Sequence, residues 1–399
     1  MTDRRLLSVG QELLDSAGTE YRYHVIYFSY YFALNGMVTF RNAYFDEIGL
    51  TGSQMGLIGA LLVAGGLVAQ PAWGVLADKT GATRGIMLTG AIVSGISILL
   101  FPLAVHTPWE FSLMIVATLF VSSFRAPILP IANSMVLSKG LSYGQIRAAG
   151  SLAFGLGSLF IGWVATFFGL SVIFYLYAAG MAFLAVLVKG LEKPRADISP
   201  DLKRDAITLL GNQRFILLLF IAVVIPGAFA GADAFLSVYL RELTGGDSIT
   251  GVAWLVKTFT EAVVFVWLSR HSFDNRTLLT VGGVVTMAAY LVLGLTQAAP
   301  IAVGVMIVSG SGVAFFIYAA VNMAHKYAPV ALAATAQTLL SSIGMGVGRA
   351  SSQLGSGWLV DTVGVQSLYL FLAAAAAIAT VVSLRFHVTR LRSAIGRRT

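Results

Sequence analysis

The chain has 399 residues, of which 57% are hydrophobic and only 11% charged; its net charge is +8 and its mean hydropathy is +0.83. Soluble domains carry roughly 25% charged residues, so this composition excludes water as the chain's only solvent. The absence of cysteine excludes a disulfide framework or thiolate metal centre, and the five histidines form no HxxxH pair, so neither a metal nor a cofactor is expected.

In chain order, residues 1–23 are polar and mixed in charge, with no prompt apolar core and no small-residue cleavage site. They read as a cytoplasmic N-terminal segment rather than a secretory signal. Apolar runs of about 20 residues then recur, the length that crosses hydrocarbon as a helix. They fall at about 24–45, 54–77, 85–105, 110–136, 147–169, 171–189, 214–240, 249–269, 277–296, 300–323, 332–360 and 366–385. A membrane β-barrel would instead show strict alternation over about 10 residues. The predicted fold is therefore an all-α membrane protein with twelve spans.

An even number of spans puts both termini on one side. Of 26 basic residues, 20 fall in the loops and tails of that side, and only Arg41 and Arg241 on the other. Arg125, Arg147, Lys257 and Arg349 lie within spans. Basic loops stay inside, so both termini are expected in the cytoplasm, in a multi-pass protein of the inner (plasma) membrane. The positive charge thus serves orientation and not nucleic acid binding.

The longest polar connection follows span six, KGLEKPRADISPDLKRDAITLLGNQ, and holds Pro194 and Pro200. It divides the chain into a bundle at 24–189, a cytoplasmic linker at 190–213, a second bundle at 214–385 and a cytoplasmic tail at 386–399. The bundles repeat at an offset of 195: Tyr44 matches Tyr239, Glu47 matches Glu242, Ser53 matches Ser248 and Gly56 matches Gly251. Gly162-Trp163 likewise matches Gly357-Trp358, and Gly169 matches Gly364. Six helices per unit preserve orientation, so the repeat is parallel, an architecture transporters use around a midplane site.

The loop after span two reads Gly74-Val-Leu-Ala-Asp78-Lys79-Thr-Gly81-Ala-Thr-Arg84. It resembles the signature of the major facilitator superfamily, G-x-L-a-D-r-x-G-r-k/r, with Ala82-Thr83 standing in for part of the basic pair. That resemblance implies a gating loop carried by Gly74, Asp78, Lys79, Gly81 and Arg84. Further on, Pro127-Ile-Leu-Pro130-Ile-Ala-Asn133 precedes Tyr143-Gly-Gln-Ile-Arg147-Ala-Ala-Gly150-Ser151. This is similar to the lactose-permease and phenylpropionate-permease branch, and it implies that Arg147 lies in the translocation cavity. Drug–proton antiporters of the superfamily carry a Gly-Pro pair in span five, whereas Gly150 to Trp163 holds no proline, which favours symport.

Charges inside spans are costly and usually serve ion or proton paths. Lys257 and Glu261 are four residues apart in span eight and share a face, and Asp233 lies in span seven, where it pairs with Lys257 or Arg41 or lines the cavity. These three form the expected proton-coupling set, with Glu261 the first choice as carrier. Span one is aromatic and polar, and such walls suit a partly apolar organic solute. The expected solute-binding set is Arg147, Arg125, Tyr31, Asn35, Asn133, Trp254, Tyr318 and Asn322. The reading is a monomeric, proton-coupled symporter of a small neutral or anionic organic solute, working by alternating access. An efflux antiporter of the same fold is the main alternative, and a non-transporting receptor a remote one. No catalytic motif such as GxSxG with intramembrane histidine is present, so no enzyme is expected.

Overall fold

The computed structural model describes residues 2–139, 141, 143–191, 209–329 and 332–386. Within them the chain is a succession of helices, and its breaks have local causes. The first span is α1 (Thr2–Thr39) and, past a break at Phe40, α2 (Arg41–Glu47). The second is α3 (Gly52–Thr80), opened by a capping box in which Thr51 and Gln54 satisfy each other's backbone N–H groups. The third is α4 (Thr83–Ser97) with the short α5 (Leu100–Ala104). In the fourth, α6 (Glu110–Arg125) gives way at Pro127 to α7 (Ile128–Ser138), because proline lacks the N–H that would continue the ladder. Spans five and six are α8 (Tyr143–Phe168) and α9 (Val172–Lys189).

The second bundle runs through α10 (Gln213–Thr244), α11 (Ser248–Arg270), α12 (Asn275–Leu295) and α13 (Ala299–Tyr327). Its fifth span is α14 (Ala333–Leu339), a π-helical stretch (Leu340–Val347) and α15 (Gly348–Val363), and α16 (Val365–Ser383) closes the bundle. The linker 190–213 and tail 386–399 lie largely outside the described residues. The segment read as a polar lead, 1–23, is helical from Thr2 and continuous with the first span.

Among the described residues, ten helices are long and apolar enough to cross a membrane. Spans one and eleven fall short of that measure. Span one carries Tyr, Ser, Asn and Arg side chains along its length. Span eleven is Gly- and Ser-rich, holds Arg349 and Gln353, and is interrupted by the π stretch. Both also line the central cavity described below, where a polar side chain need not meet lipid. The outward faces are apolar: Phe168 is 73% exposed and Ile378 59%, as suits a surface bathed in hydrocarbon.

The repeat is built into the packing. Tyr44 meets Phe174 at 4.7 Å between ring centroids, and 195 positions on Tyr239 meets Tyr369 at 4.9 Å. Gly169 and Gly364, also matched, both take positive φ (77° and 85°) in the turns that end α8 and α15. The matched glycines Gly56 and Gly357 face each other across the seam of α3 and α15, where a Cβ on Gly56 would lie 3.1 Å from the Gly357 Cα. Gly251 packs on Ser158 and Leu159 across the seam of α8 and α11. The repeated pattern is thus a pattern of close helix approach between halves.

Both termini share one end of the bundle, here the near end. There Arg22 donates to the Gly190 carbonyl (2.5 Å), and Arg276 to that of Phe386 (3.1 Å). Among the described residues, the hydrogen bonds that cross between halves cluster towards the opposite, far end. The Asp361 carboxylate accepts from the backbone N–H groups of Gly52 (2.5 Å) and Ser53 (2.8 Å) and from the Ser53 hydroxyl (2.5 Å). It thereby sits at the positive N-terminus of α3 in the other half. Arg241 donates to the Ala43 carbonyl (3.0 Å) and to Glu47 (3.1 Å). Asp247, 3.9 Å from Arg241, has its carboxyl raised above the ordinary aspartate range by burial, against the pull of that arginine.

Asp361 therefore latches the far end. Asp361→Ala removes three hydrogen bonds to a charged acceptor, each worth roughly 1.5–3 kcal/mol. Solvent recovers part of this, and the far-end-open population is expected to rise at least about tenfold. With a single Met37→Cys in the naturally cysteine-free chain, a thiol reagent added at the far side should label faster. An unchanged rate would assign closure to the glycine packing alone.

Candidate functional site

Between the halves lies a cavity of about 770 Å³. Tyr30, Met37 and Arg41 reach it from the first span, Gly59 and Gln70 from α3, and Arg125 and Asn133 from α6 and α7. Phe229 and Asp233 come from α10, Trp254 from α11, and Met345, Arg349 and Gln353 from span eleven. The π stretch carries Ser341, Met345 and Gly346 into this wall, in keeping with the frequent use of such irregular turns at functional sites. Helices from both halves contribute, and the far-end contacts close the cavity on that side.

Of the expected solute-binding residues, Arg125, Asn133 and Trp254 line this cavity. Asn133 accepts from the Tyr27 hydroxyl. Trp254 stands edge-on to Phe154 at 5.5 Å, and its indole N–H has no hydrogen-bond partner among the described residues. Tyr31, Asn35, Arg147, Tyr318 and Asn322 are not in the wall. Arg147 lies over the Tyr31 ring (4.5 Å) and donates to Ser151 (3.1 Å), so the two act as one stacked unit. Asn35 is fully buried and bonded to the Phe154 carbonyl (2.5 Å) and the Ser158 hydroxyl (2.8 Å), which ties α1 to α8. The Asn322 amide returns to the Tyr318 carbonyl of its own helix (2.8 Å).

Of the expected coupling residues, Asp233 and Lys257 pair, one of the alternatives open in the sequence, and Glu261 stands apart. Lys257 is 3% exposed and pairs with Asp233, the cavity-lining acid, and it also lies 5.0 Å from the centre of the Trp254 ring. Glu261, one turn along α11, makes no hydrogen bond or ion pair among the described residues. Lys257, Asp233, Arg147 and Arg349 all act on it electrostatically. The helix spacing that put Lys257 beside Glu261 was outweighed by α10, whose Asp233 reaches the ammonium across the helix interface.

Other residues outside the expected sets also stand in the wall, among them Tyr30, Arg349, Arg41, Gln70 and Gln353. Arg41, counted with Arg241 among the far-side basic residues, is 6% exposed and faces the cavity. Its place four residues inside the apolar run ending near 45 was the available signal. Gln70 and Gln353 are neutral amides within apolar runs, a weaker signal of the same kind.

At the near end, Gly81 closes α3 in the left-handed conformation (φ 61°), and its N–H returns to the Ala77 carbonyl (2.8 Å). Lys79 and Arg84 are exposed, and a Cβ on Gly74 would meet open space. The Asp78 side chain lies outside the described residues. In this conformation Gly81 makes the tight turn, while Gly74 has no close neighbour to accommodate. Asp78→Asn is expected to lower transport several-fold more than it lowers the amount of protein in the membrane. Transport that merely tracks expression, measured by immunoblot beside uptake, would make the loop structural.

A family profile described as "MFS_1 like family" matches residues 21–371. The chain belongs to that family. This MFS_1-like chain is 26% identical over 355 residues to the maltose permease of Geobacillus stearothermophilus, covering 87% of this chain and 89% of that one. It is 27% identical to a probable 3-phenylpropionic acid transporter of Escherichia coli K12, covering 69% and 74% of the two chains. Among solved structures, the nucleoside transporter NupG superposes with a TM-score of 0.81 at 16% identity, over 92% of this chain and 98% of that one. At that identity the likeness is one of fold. The MFS_1-like chain is thus a multi-pass membrane transporter of the major facilitator type.

Proposed function

We propose that this protein is a proton-coupled symporter that carries a small neutral or anionic organic solute into the cell by alternating access. The observation that carries the proposal is the Asp233–Lys257 pair in the wall of a cavity closed at its far end. A buried ion pair is a weak source of stability. An acid whose cation partner can be released or regained, however, is a two-state element that a proton and a solute can both bias.

The near end is taken as cytoplasmic, on the strength of the basic asymmetry of the loops, so the cavity opens inward. The two halves, 24–189 and 214–385, rock about it. Closing the near end and releasing Asp361 and Arg241 at the far end would expose the same cavity outside. Glu261, one turn from Lys257 and without an ion-pair partner among the described residues, is the second acid available to a proton. Arg147 acts through Tyr31, next to the cavity-lining Tyr30. The protein works as a monomer in the inner membrane.

The other reading, proton-driven efflux, draws on a similarity to the multidrug resistance protein MdtG of Yersinia enterocolitica, 27% identical over 53% of this chain. Uptake into proteoliposomes decides between them. The compound panel should start from maltose and 3-phenylpropionate, the solutes named for two relatives. Symport gives accumulation down an imposed inward proton gradient, and antiport gives proton-driven expulsion. A broad panel in which no solute responds to either gradient would overturn the transporter mechanism proposed here.

A further inference from the structure

The cavity wall has an unbalanced charge. Arg41 is nine-tenths buried, yet among the described residues neither it nor Arg125 has a carboxylate within ion-pair distance. The Arg41 Nε donates to Asn42 (2.9 Å), and its Nη2 reaches the Gln353 side-chain carbonyl only at 3.5 Å, across the two halves. Arg125 has a single long bond, from Nη1 to the Tyr30 hydroxyl (3.4 Å). Both guanidinium groups line the same cavity. Room for Arg41 and Gln353 is made by Gly59, where a Cβ would lie 3.2 Å from the Arg41 Nη2. Among the described residues, Asp233 is the one acid in the wall and is already engaged by Lys257, and Arg349 adds a further positive charge.

A buried cation without a counter-ion is costly, and proteins keep one where a ligand supplies the missing charge. Guanidinium presents a planar fork of donors suited to carboxylate. The same wall carries the aromatic side chains Tyr30, Phe229 and Trp254, and Tyr30 touches Arg125. Beside these charged and amide groups, the three rings offer faces on which a flat apolar body can pack.

Resting on the transporter reading, we infer that the solute is an organic monocarboxylate with an aromatic or similarly flat apolar body, its carboxylate seated between Arg41 and Arg125. Gln353 then holds the seat from the opposite half, so the anion bridges both halves. One consequence follows from charge alone: a monoanion carried with one proton moves no net charge. Uptake is then driven by a pH gradient and is indifferent to membrane potential.

The test uses the full chain in nanodiscs and proteoliposomes, with phenylacetate and benzoate as anionic probes, phenylacetamide as the neutral isostere of the first, and sucrose as a polyhydroxy solute. The carboxylates should raise the melting temperature and be taken up, while phenylacetamide and sucrose should bind at least tenfold more weakly. Arg41→Gln and Arg125→Gln should each weaken carboxylate binding by about 10- to 100-fold, the range for hydrogen bonds to charged groups. Ligand-free Arg41→Gln should melt no lower than the parent, because it loses an unpaired buried charge; a residue needed only for packing would melt lower. Arg41→Lys keeps the charge and should retain part of the binding. The inference is overturned if the amide or sucrose binds as well as the carboxylates, or if the arginine variants keep full affinity. Proton-driven uptake of neutral solutes alone would sink the anion seat and leave the symporter standing, whereas no gradient-driven movement of any probe or panel solute would sink both.

Discussion

Asp233→Ala is expected to be the most damaging single change in the cavity wall, and Lys257→Ala made in the same chain is expected to undo much of the damage. Lys257 is almost fully enclosed and its counter-charge is Asp233. Taking away one partner leaves an uncompensated charge in a poorly hydrated site, a loss of about 3–5 kcal/mol where such pairs have been broken. Taking away both leaves neither charge, which is close to neutral for folding. Thermal unfolding in detergent should therefore show a large drop for Asp233→Ala and near-recovery for the double variant. Transport should be lost in the single variant, and proton coupling should stay lost in the double one. Equal stability of all three proteins would mean that the pair does not hold α10 to α11.

Glu261→Gln is expected to separate accumulation from exchange. The amide has the shape and neutrality of the protonated acid, so the variant mimics one state of the cycle and cannot leave it. Counterflow of solute, which needs no net proton movement, should persist near the parental rate. Accumulation driven by a pH gradient should fall at least about tenfold. The role proposed for Glu261 rests on position: it lies one turn from Lys257 on α11. Normal accumulation by the Gln variant would move the proton to Asp233.

The spans, the parallel repeat and the turn glycines were legible because each has a one-dimensional signature. Hydrocarbon thickness sets the run length, and the offset of 195 between Gly56 and Gly251, or Gly169 and Gly364, marks positions where two backbones approach or a turn reverses. The site was legible in part. Arg125, Asp233 and Lys257 stand out as polar groups in apolar runs, and no sequence rule is needed beyond the cost of putting them there. Which of them pair was legible only as alternatives, Asp233 being open to Lys257 or Arg41. The four-residue spacing of Lys257 and Glu261 is a property of one helix, while the contact of Lys257 with Asp233 depends on how α10 and α11 pack. Arg41 was missed because, near a span end, an arginine that anchors at the membrane surface and one that turns into a cavity look alike in sequence. Asp361 was missed for a related reason: its partners are the backbone N–H groups of Gly52 and Ser53, which carry no residue-type signal.

The central claim is that one cavity is exposed alternately at the two ends, with proton and solute biasing the exchange. The most direct measurement is a pair of distances in the same protein by spin labelling, for which the cysteine-free chain needs no prior substitution. One label pair, at Phe168 and Ser248, spans the halves at the far end, and a second, at Lys79 and Lys326, spans them at the near end. In nanodiscs at neutral pH without solute, the far-end pair should be short and the near-end pair long. Acidification together with a solute that the vesicles take up should lengthen the first and shorten the second. Two distances that stay fixed under all conditions, or that lengthen together, would contradict alternating access through this cavity.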